Sequence, residues 1–367
     1  FRSWEDIEFD QDNRIDGFLV RYDGDLRFKA LYGGVPSRYD AEKYDLVYGA
    51  DAEYPLLEML RLGANAISQR NYSYRNPLTM KDVYDQRDIL SARATLNIFD
   101  LEISGEYAAS ELYYPNMGDK TKGSALYTHG SYYFHPIQVG AAYKKYDAFS
   151  FRLHDIPLAN YHGETLADNQ SSGIDEEGLY GWLSWEMTDA ISFRTHYAEA
   201  WNQDNSKKMN DFFTGLDWTV GNTLIGLEYA QIEKVDDTSS TWQIDQTPAL
   251  HLGFQAMGRP LAVKLEYAYV ERQLYNVSKY HYEPSLQADL AIGKLAVSLG
   301  AKTEWKSPAD MDKAVYATNM ELKYPIFEHT DLTVFAGKDA GGKVCRNGIC
   351  RYVAPFQGIR AELTTRF

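Results

Sequence analysis

Cysteine is scarce, basic charge is in the minority and long apolar runs are missing. Two cysteines in 367 residues exclude a disulfide-built scaffold, and no Cys-x-x-Cys pair or Cys/His cluster points to zinc. Lysine and arginine number 37 against 52 aspartate and glutamate, a formal net charge of -15, which argues against a nucleic-acid ligand. No stretch approaches the roughly 18 uncharged apolar residues of a membrane helix, so a helical membrane protein is excluded. Amphipathic helical periodicity is nearly absent too. What is abundant is tyrosine, 29 residues beside 16 Phe and 7 Trp. Hydrophobic residues at 44% and charged residues at 24% are normal for a folded chain, so disorder is not expected.

Alternation of apolar and polar residues recurs from one end to the other, the mark of strands with two different faces. Residues 261–269 place Leu261, Val263, Leu265, Tyr267 and Tyr269 opposite Lys264 and Glu266. Residues 90–98 place Leu90, Ala92, Ala94, Leu96 and Ile98 opposite Arg93, and 101–109 place Leu101, Ile103 and Tyr107 opposite Glu102 and Glu106. About 19 such segments are predicted between residues 14 and 367. Their connections alternate. Short ones (Asp23-Gly24, Phe99-Asp100, His135-Pro136, Thr188-Asp189, Gly221-Asn222, Gly258-Arg259, Gly293-Lys294) carry hairpin chemistry. Longer polar ones fall at 34–43, 70–88, 113–122, 149–176, 202–208, 235–240, 306–313 and 338–355.

Short turns at one end and long loops at the other are the layout of an all-β, up-and-down transmembrane barrel of the bacterial outer membrane. A soluble sandwich alternates as well, with its apolar face inward. The barrel is favoured because so many consecutive hairpins exceed what a sandwich holds. Tyr107, Tyr143, Tyr197, Tyr229, Tyr267, Trp305 and Tyr324 also cluster toward strand ends as an interfacial girdle. The last segment ends on Phe367, with Ile359, Ala361 and Leu363 alternating against Arg360 and Glu362. A terminal aromatic of this kind resembles the signal read by barrel-assembly machinery. The whole of 1–367 is read as a single barrel domain, with 338–355 an external loop.

Such barrels close with an even strand number, and an odd count makes residues 5–13 an outside loop and Phe1-Trp4 the end of an upstream strand. The expectation is therefore a barrel lacking its N-terminal part, with about 20 strands or more in full. The opening Phe1-Arg2-Ser3-Trp4-Glu5-Asp6, with Ala30-Leu31-Tyr32-Gly33 and Gly49-Ala50-Asp51-Ala52-Glu53, resembles the mid-barrel of an uncharacterised family of Bacteroidota-type, porin-like outer-membrane proteins. The run from Gly341 through Cys345 and Cys350 to Pro355-Phe356 and Thr365-Arg366-Phe367 resembles that family's ending. The resemblance implies fold, location and truncation, and brings no activity with it.

If the charges face a wet lumen, Arg93, Glu102, Glu106, Lys144, Arg194 and Glu228 line it, joined by Lys264, Glu266, Lys302, Glu304, Arg360 and Glu362. The functional reading is a solute path whose field orders water. The plainer reading is that any wide barrel must line its lumen with paired polar groups. Mixed signs argue against strong ion selectivity. Cys345 and Cys350 flank Asn347-Gly348, a tight reversal that suits a disulfide staple in an external loop. A redox or metal role for the pair is the lesser alternative. Asp168, Asp175, Glu176 and Glu177 read as a solvated acidic loop, the alternative being calcium binding or bridging to lipid headgroups through divalent ions. His196 has no nucleophile elbow beside it, so no catalytic residue, metal or cofactor is expected. Two functions remain open. One is a channel for small hydrophilic solutes; the other is a non-conducting barrel anchoring an envelope partner, its lumen plugged. Expected partners are outer-membrane lipid, the assembly machinery and an envelope protein or plug, without nucleic acid.

Overall fold

The computed structural model describes residues 16–36, 43–115, 118–149, 159–163, 166, 175–274, 277–304, 315–339, 342–346, 349–353 and 355–365. Among them every regular element is a strand. The first eight are β1 (Asp16–Asp23), β2 (Arg27–Pro36), β3 (Tyr44–Leu57), β4 (Leu60–Arg75), β5 (Asp82–Ile98), β6 (Leu101–Tyr114), β7 (Asp119–Phe134) and β8 (Ile137–Asp147). Then come β9 (Glu176–Thr188), β10 (Ile191–Trp201), β11 (Lys207–Val220), β12 (Thr223–Asp236), β13 (Thr241–Ala256), β14 (Arg259–Leu274), β15 (Val277–Ile292) and β16 (Leu295–Glu304). The series ends with β17 (Val315–Phe327), β18 (Thr330–Asp339), β19 (Gly342–Arg346), β20 (Ile349–Val353) and β21 (Phe356–Thr365). The 19 strands other than β19 and β20 correspond one for one to the alternating segments. Gly221, Gly258 and Gly293 have the positive φ that two-residue hairpin turns require. Three predicted turns differ, Asp23-Gly24 becoming the three-residue connection 24–26 and two others slipping by one residue to Asp189-Ala190 and Met257-Gly258, and two tight turns went unpredicted, Glu58-Met59 and Glu328-His329.

The chain divides into two compact units, Phe1–Leu183 with Tyr197–Met209, and Ser184–His196 with Asn210–Phe367. In the first, β1 to β8 pair antiparallel in sequence order. In the second, β12 to β18 do the same and β21 continues from β18. Within 338–355 the predicted loop holds a separate small hairpin, where β19 and β20 pair with Cys345 opposite Cys350. The side chains of this hairpin, Phe1-Trp4, residues 5–13 and 306–313, Trp305 and Phe367 lie outside the described residues.

The faces are inverted relative to a soluble protein. Large apolar side chains on the apolar face are exposed, Tyr107 at 54% and Leu265 at 42%, whereas Glu106 on the polar face is 5% exposed. Tyr197, Tyr267 and Tyr324 of the predicted girdle are exposed in the same way. Water does not tolerate so extensive an apolar surface on a monomer; hydrocarbon does.

The predicted loops 70–88 and 113–122 are largely strand. β4 and β5 run 16 and 17 residues, where a tilted strand needs about 9–11 to cross a bilayer. On β5 the apolar face runs from Ile98 to Leu90 and then turns polar at Asp88; on β6 it runs from Leu101 to Ala109 and turns polar at Glu111. The excess length therefore stands beyond the hydrocarbon, on the side of the longer loops.

Candidate functional site on the polar face

In the first unit a single cross-strand row assembles charge. Glu53 lies opposite Gly63, Gly63 opposite Arg93, Arg93 opposite Glu106, Glu106 opposite Tyr127, and Tyr127 opposite Lys144. Arg93 does not simply pair with its neighbour. Its guanidinium crosses β4 and grips Asp51 with two hydrogen bonds, 2.5 and 3.0 Å, and reaches Glu53 at 3.4 Å. Gly63 makes the crossing feasible, since a Cβ there would sit 2.6 Å from the guanidinium carbon. Arg27 and Arg61 approach the other oxygen of Glu53 at 3.5 and 3.4 Å. Glu106 accepts from Asn65 at 3.2 Å and from the Ser91 hydroxyl. Farther along, Lys144 at 1% and Glu176 at 4% exposure form a buried ion pair.

Glu176 therefore corrects the sequence expectation of a solvated acidic loop. It opens β9 and is dry, and Glu177 beside it accepts from Tyr143 at 2.8 Å and Lys145 at 3.2 Å. Asp168 lies outside the described residues.

In the second unit Arg194 bridges Asp217 at 3.2 Å and Glu228 at 3.3 Å, and His251 meets the other oxygen of Glu228 at 2.8 Å. Lys264 pairs with Glu266 at 2.7 Å, Ser285 donates to Glu266 at 3.2 Å, and Lys302 faces Glu283 at 3.5 Å. Arg360 lies 5.4 Å from both the Phe335 and Phe356 rings. Glu362 is exposed and accepts from Thr364 at 3.4 Å. Glu102 is more open than the Arg93 cluster, with His129 at 3.9 Å. The Glu304 side chain lies outside the described residues. His196 packs edge-on against Phe213, ring centroids 5.5 Å apart.

Sequence reasoning missed Asp51, Glu53, Asn65 and Ser91, which complete the Arg93 cluster, and Asp217, His251 and Glu283 in the second unit. It also missed a dry layer. Toward the loop end of the first unit the polar face carries Val47, Ile67, Ile89, Ala108, Ala125 and Tyr146, packed together with Phe149. Just before β3, Lys43 donates to Asp82, the first residue of β5, at 2.7 Å, and this bond holds the Lys43 ammonium pKa above the usual lysine value.

An up-and-down antiparallel sheet that shows its apolar side chains and buries its charges has few architectural solutions. The structure is similar to that of a mutant ferric enterobactin receptor (PfeA) from Pseudomonas aeruginosa, TM-score 0.50 at 10% identity, over 95% of this chain and 68% of that one. The fold is an outer-membrane β-barrel. With hydrocarbon required on its apolar face, the chain resides in the bacterial outer membrane. Lower similarity is found to the siderophore receptor PirA from Acinetobacter baumannii, TM-score 0.47 at 9% identity, over 92% of this chain and 68% of that one. The outer membrane transporter YddB from Escherichia coli gives 0.45 at 9%, over 93% and 66%. By sequence, a profile described as "Family of unknown function (DUF6029)" matches residues 1–167, less than half of the chain. No curated protein matches the sequence.

Proposed function

We propose that the protein passes small hydrophilic solutes across the outer membrane along the polar face of its strands, without enzymatic chemistry. The observation that carries this reading is the Arg93 cluster, in which acidic and basic side chains neutralise one another across three strands over a glycine. Balanced charge of this kind wets a path without closing it to either sign of ion. Lipid and the barrel-assembly machinery are the partners such a protein requires.

Full-length protein in planar bilayers is expected to give discrete conductance steps. Arg93→Gln leaves Asp51 and Glu53 without their shared cation, so reversal potentials in a salt gradient are expected to move toward cation preference. Unchanged selectivity would remove Arg93 from the path. The dry cluster of Val47, Ile67, Ile89 and Phe149 favours a second reading, a barrel closed at its loop end that anchors an envelope protein or holds a plug. Silent bilayers together with a stoichiometric co-purifying protein would establish it in place of the channel.

The Cys345–Cys350 register supports a disulfide staple across the small hairpin, in a compartment that permits one. Mass spectrometry of the non-reduced peptide spanning both residues is expected to show the loss of two hydrogens. Full alkylation of both thiols without reductant would contradict the staple.

A further inference from the structure

In the second unit the polar face of β15, β16 and β17 brings together an oxygen-rich group of side chains. We propose that Asp289, Ser298, Asn319 and Glu321 form a calcium-binding site. Asp289 lies directly opposite Ser298, and Ser298 directly opposite Glu321, so the hydroxyl stands between two carboxylates. Ser298 is 1% exposed, and its Oγ is buried with no hydrogen-bond partner. Asp289 Oδ2 accepts from Gln287 at 2.8 Å, while Oδ1 is buried and unpartnered. Asn319 donates its amide Nδ2 to the Lys338 carbonyl at 3.2 Å, which turns Oδ1 the other way, buried and likewise unpartnered.

That oxygen points toward β16. Gly300 lies opposite Asn319 and two residues from Ser298, and a Cβ at Gly300 would come within 2.7 Å of Asn319 Oδ1. Three unmet oxygens and the Glu321 carboxylate thus gather around one strand. Carboxylate and amide oxygens can only accept, and leaving buried acceptors unmet is unfavourable. Asp289 and Glu321 stand two strands apart, about 10 Å between backbones. Calcium held here would require a carboxylate leaning in from each side until facing oxygens stand the span of two Ca–O bonds apart, about 2.3–2.6 Å each.

Four basic side chains described on the same face have partners outside this group. Lys264 is on Glu266 at 2.7 Å, Lys302 on Glu283 at 3.5 Å, Lys323 on Asp331 at 3.3 Å, and Arg360 lies against two aromatic rings. Two carboxylates with a hydroxyl and an amide oxygen suit calcium, which accepts irregular oxygen shells, better than magnesium, which demands a near-octahedral one. Among the described residues no group of three or more His, Cys, Asp or Glu forms a metal site; here two of the four ligands are neutral oxygens.

The test is calorimetric titration of calcium chloride into chelator-stripped, detergent-purified full-length protein. The expected result is one saturable site, with an upward shift in melting temperature on calcium addition. Asp289→Asn keeps the shape and removes the charge, and is expected to weaken binding by at least about tenfold. Ser298→Ala should weaken it as well, and Glu58→Gln, in an exposed turn, should not. Heat-modifiable gel migration shows whether each variant is folded. No saturable heat with the unaltered protein, equal affinity for magnesium, or full affinity in folded Asp289→Asn would each overturn the assignment.

Discussion

Leu265→Arg is expected to destabilise the vesicle-inserted protein by about 2–4 kcal/mol, because it places a guanidinium in the apolar band of β14. Gln273→Arg, on the same face of the same strand but beyond that band, is expected to cost only about 0–1 kcal/mol. Both residues belong to the alternation that runs Leu261, Val263, Leu265, Tyr267, Tyr269, Glu271 and Gln273. The gradient along one strand is the informative quantity. A dry protein core would also penalise arginine at Leu265. It would not relax the penalty according to depth in a bilayer, nor allow brominated acyl chains to quench a tryptophan placed there. Urea titration in vesicles measures the cost; an unquenched Leu265→Trp would refute the lipid-facing assignment.

Lys144→Met should destabilise by about 3–5 kcal/mol, since it leaves the buried Glu176 carboxylate without its cation. The pair joins β8 to the first residue of β9, and both side chains are almost fully enclosed. The double variant Lys144→Met/Glu176→Leu removes both charges and is expected to recover most of the loss, because hydrophobic replacement of a buried pair is often neutral. If instead the single variant costs under about 1 kcal/mol, the pair is solvated like a surface ion pair and the dry interior at this position is disproved. Equilibrium unfolding of the two variants side by side decides it.

The strands were legible wherever one face had to meet hydrocarbon. Residues 261–269 and 295–304 alternate cleanly because lipid on one side and polar surroundings on the other impose opposite demands at every second residue. The pattern fades where that demand ends. Residues 68–75 and 82–88 are strand, yet both faces there carry polar groups, Ser68, Arg70 and Asp88 on one and Gln69, Asn71 and Arg87 on the other, and the eye reads a loop. Ile89 beside Leu90 breaks the alternation for the opposite reason: Ile89 packs against a dry patch on the polar face.

The charged cluster was harder to foresee. Arg93 and Asp51 are 42 residues apart, and nothing local says that an arginine will pass over an intervening strand. Gly63 was the available signal, a strand glycine where a close approach was needed, but its meaning depends on which residue stands opposite. The same holds for Gly300 beneath Asn319.

Sequence alone determined that this chain forms antiparallel hairpins, which residues share a face, and that short and long connections alternate, because period-two patterning and turn chemistry are local. Tertiary structure decided which face is dry, which charges neutralise one another and where buried oxygens converge. Those outcomes depend on register between strands far apart in the chain, and on what each side chain finds when it reaches across its neighbour.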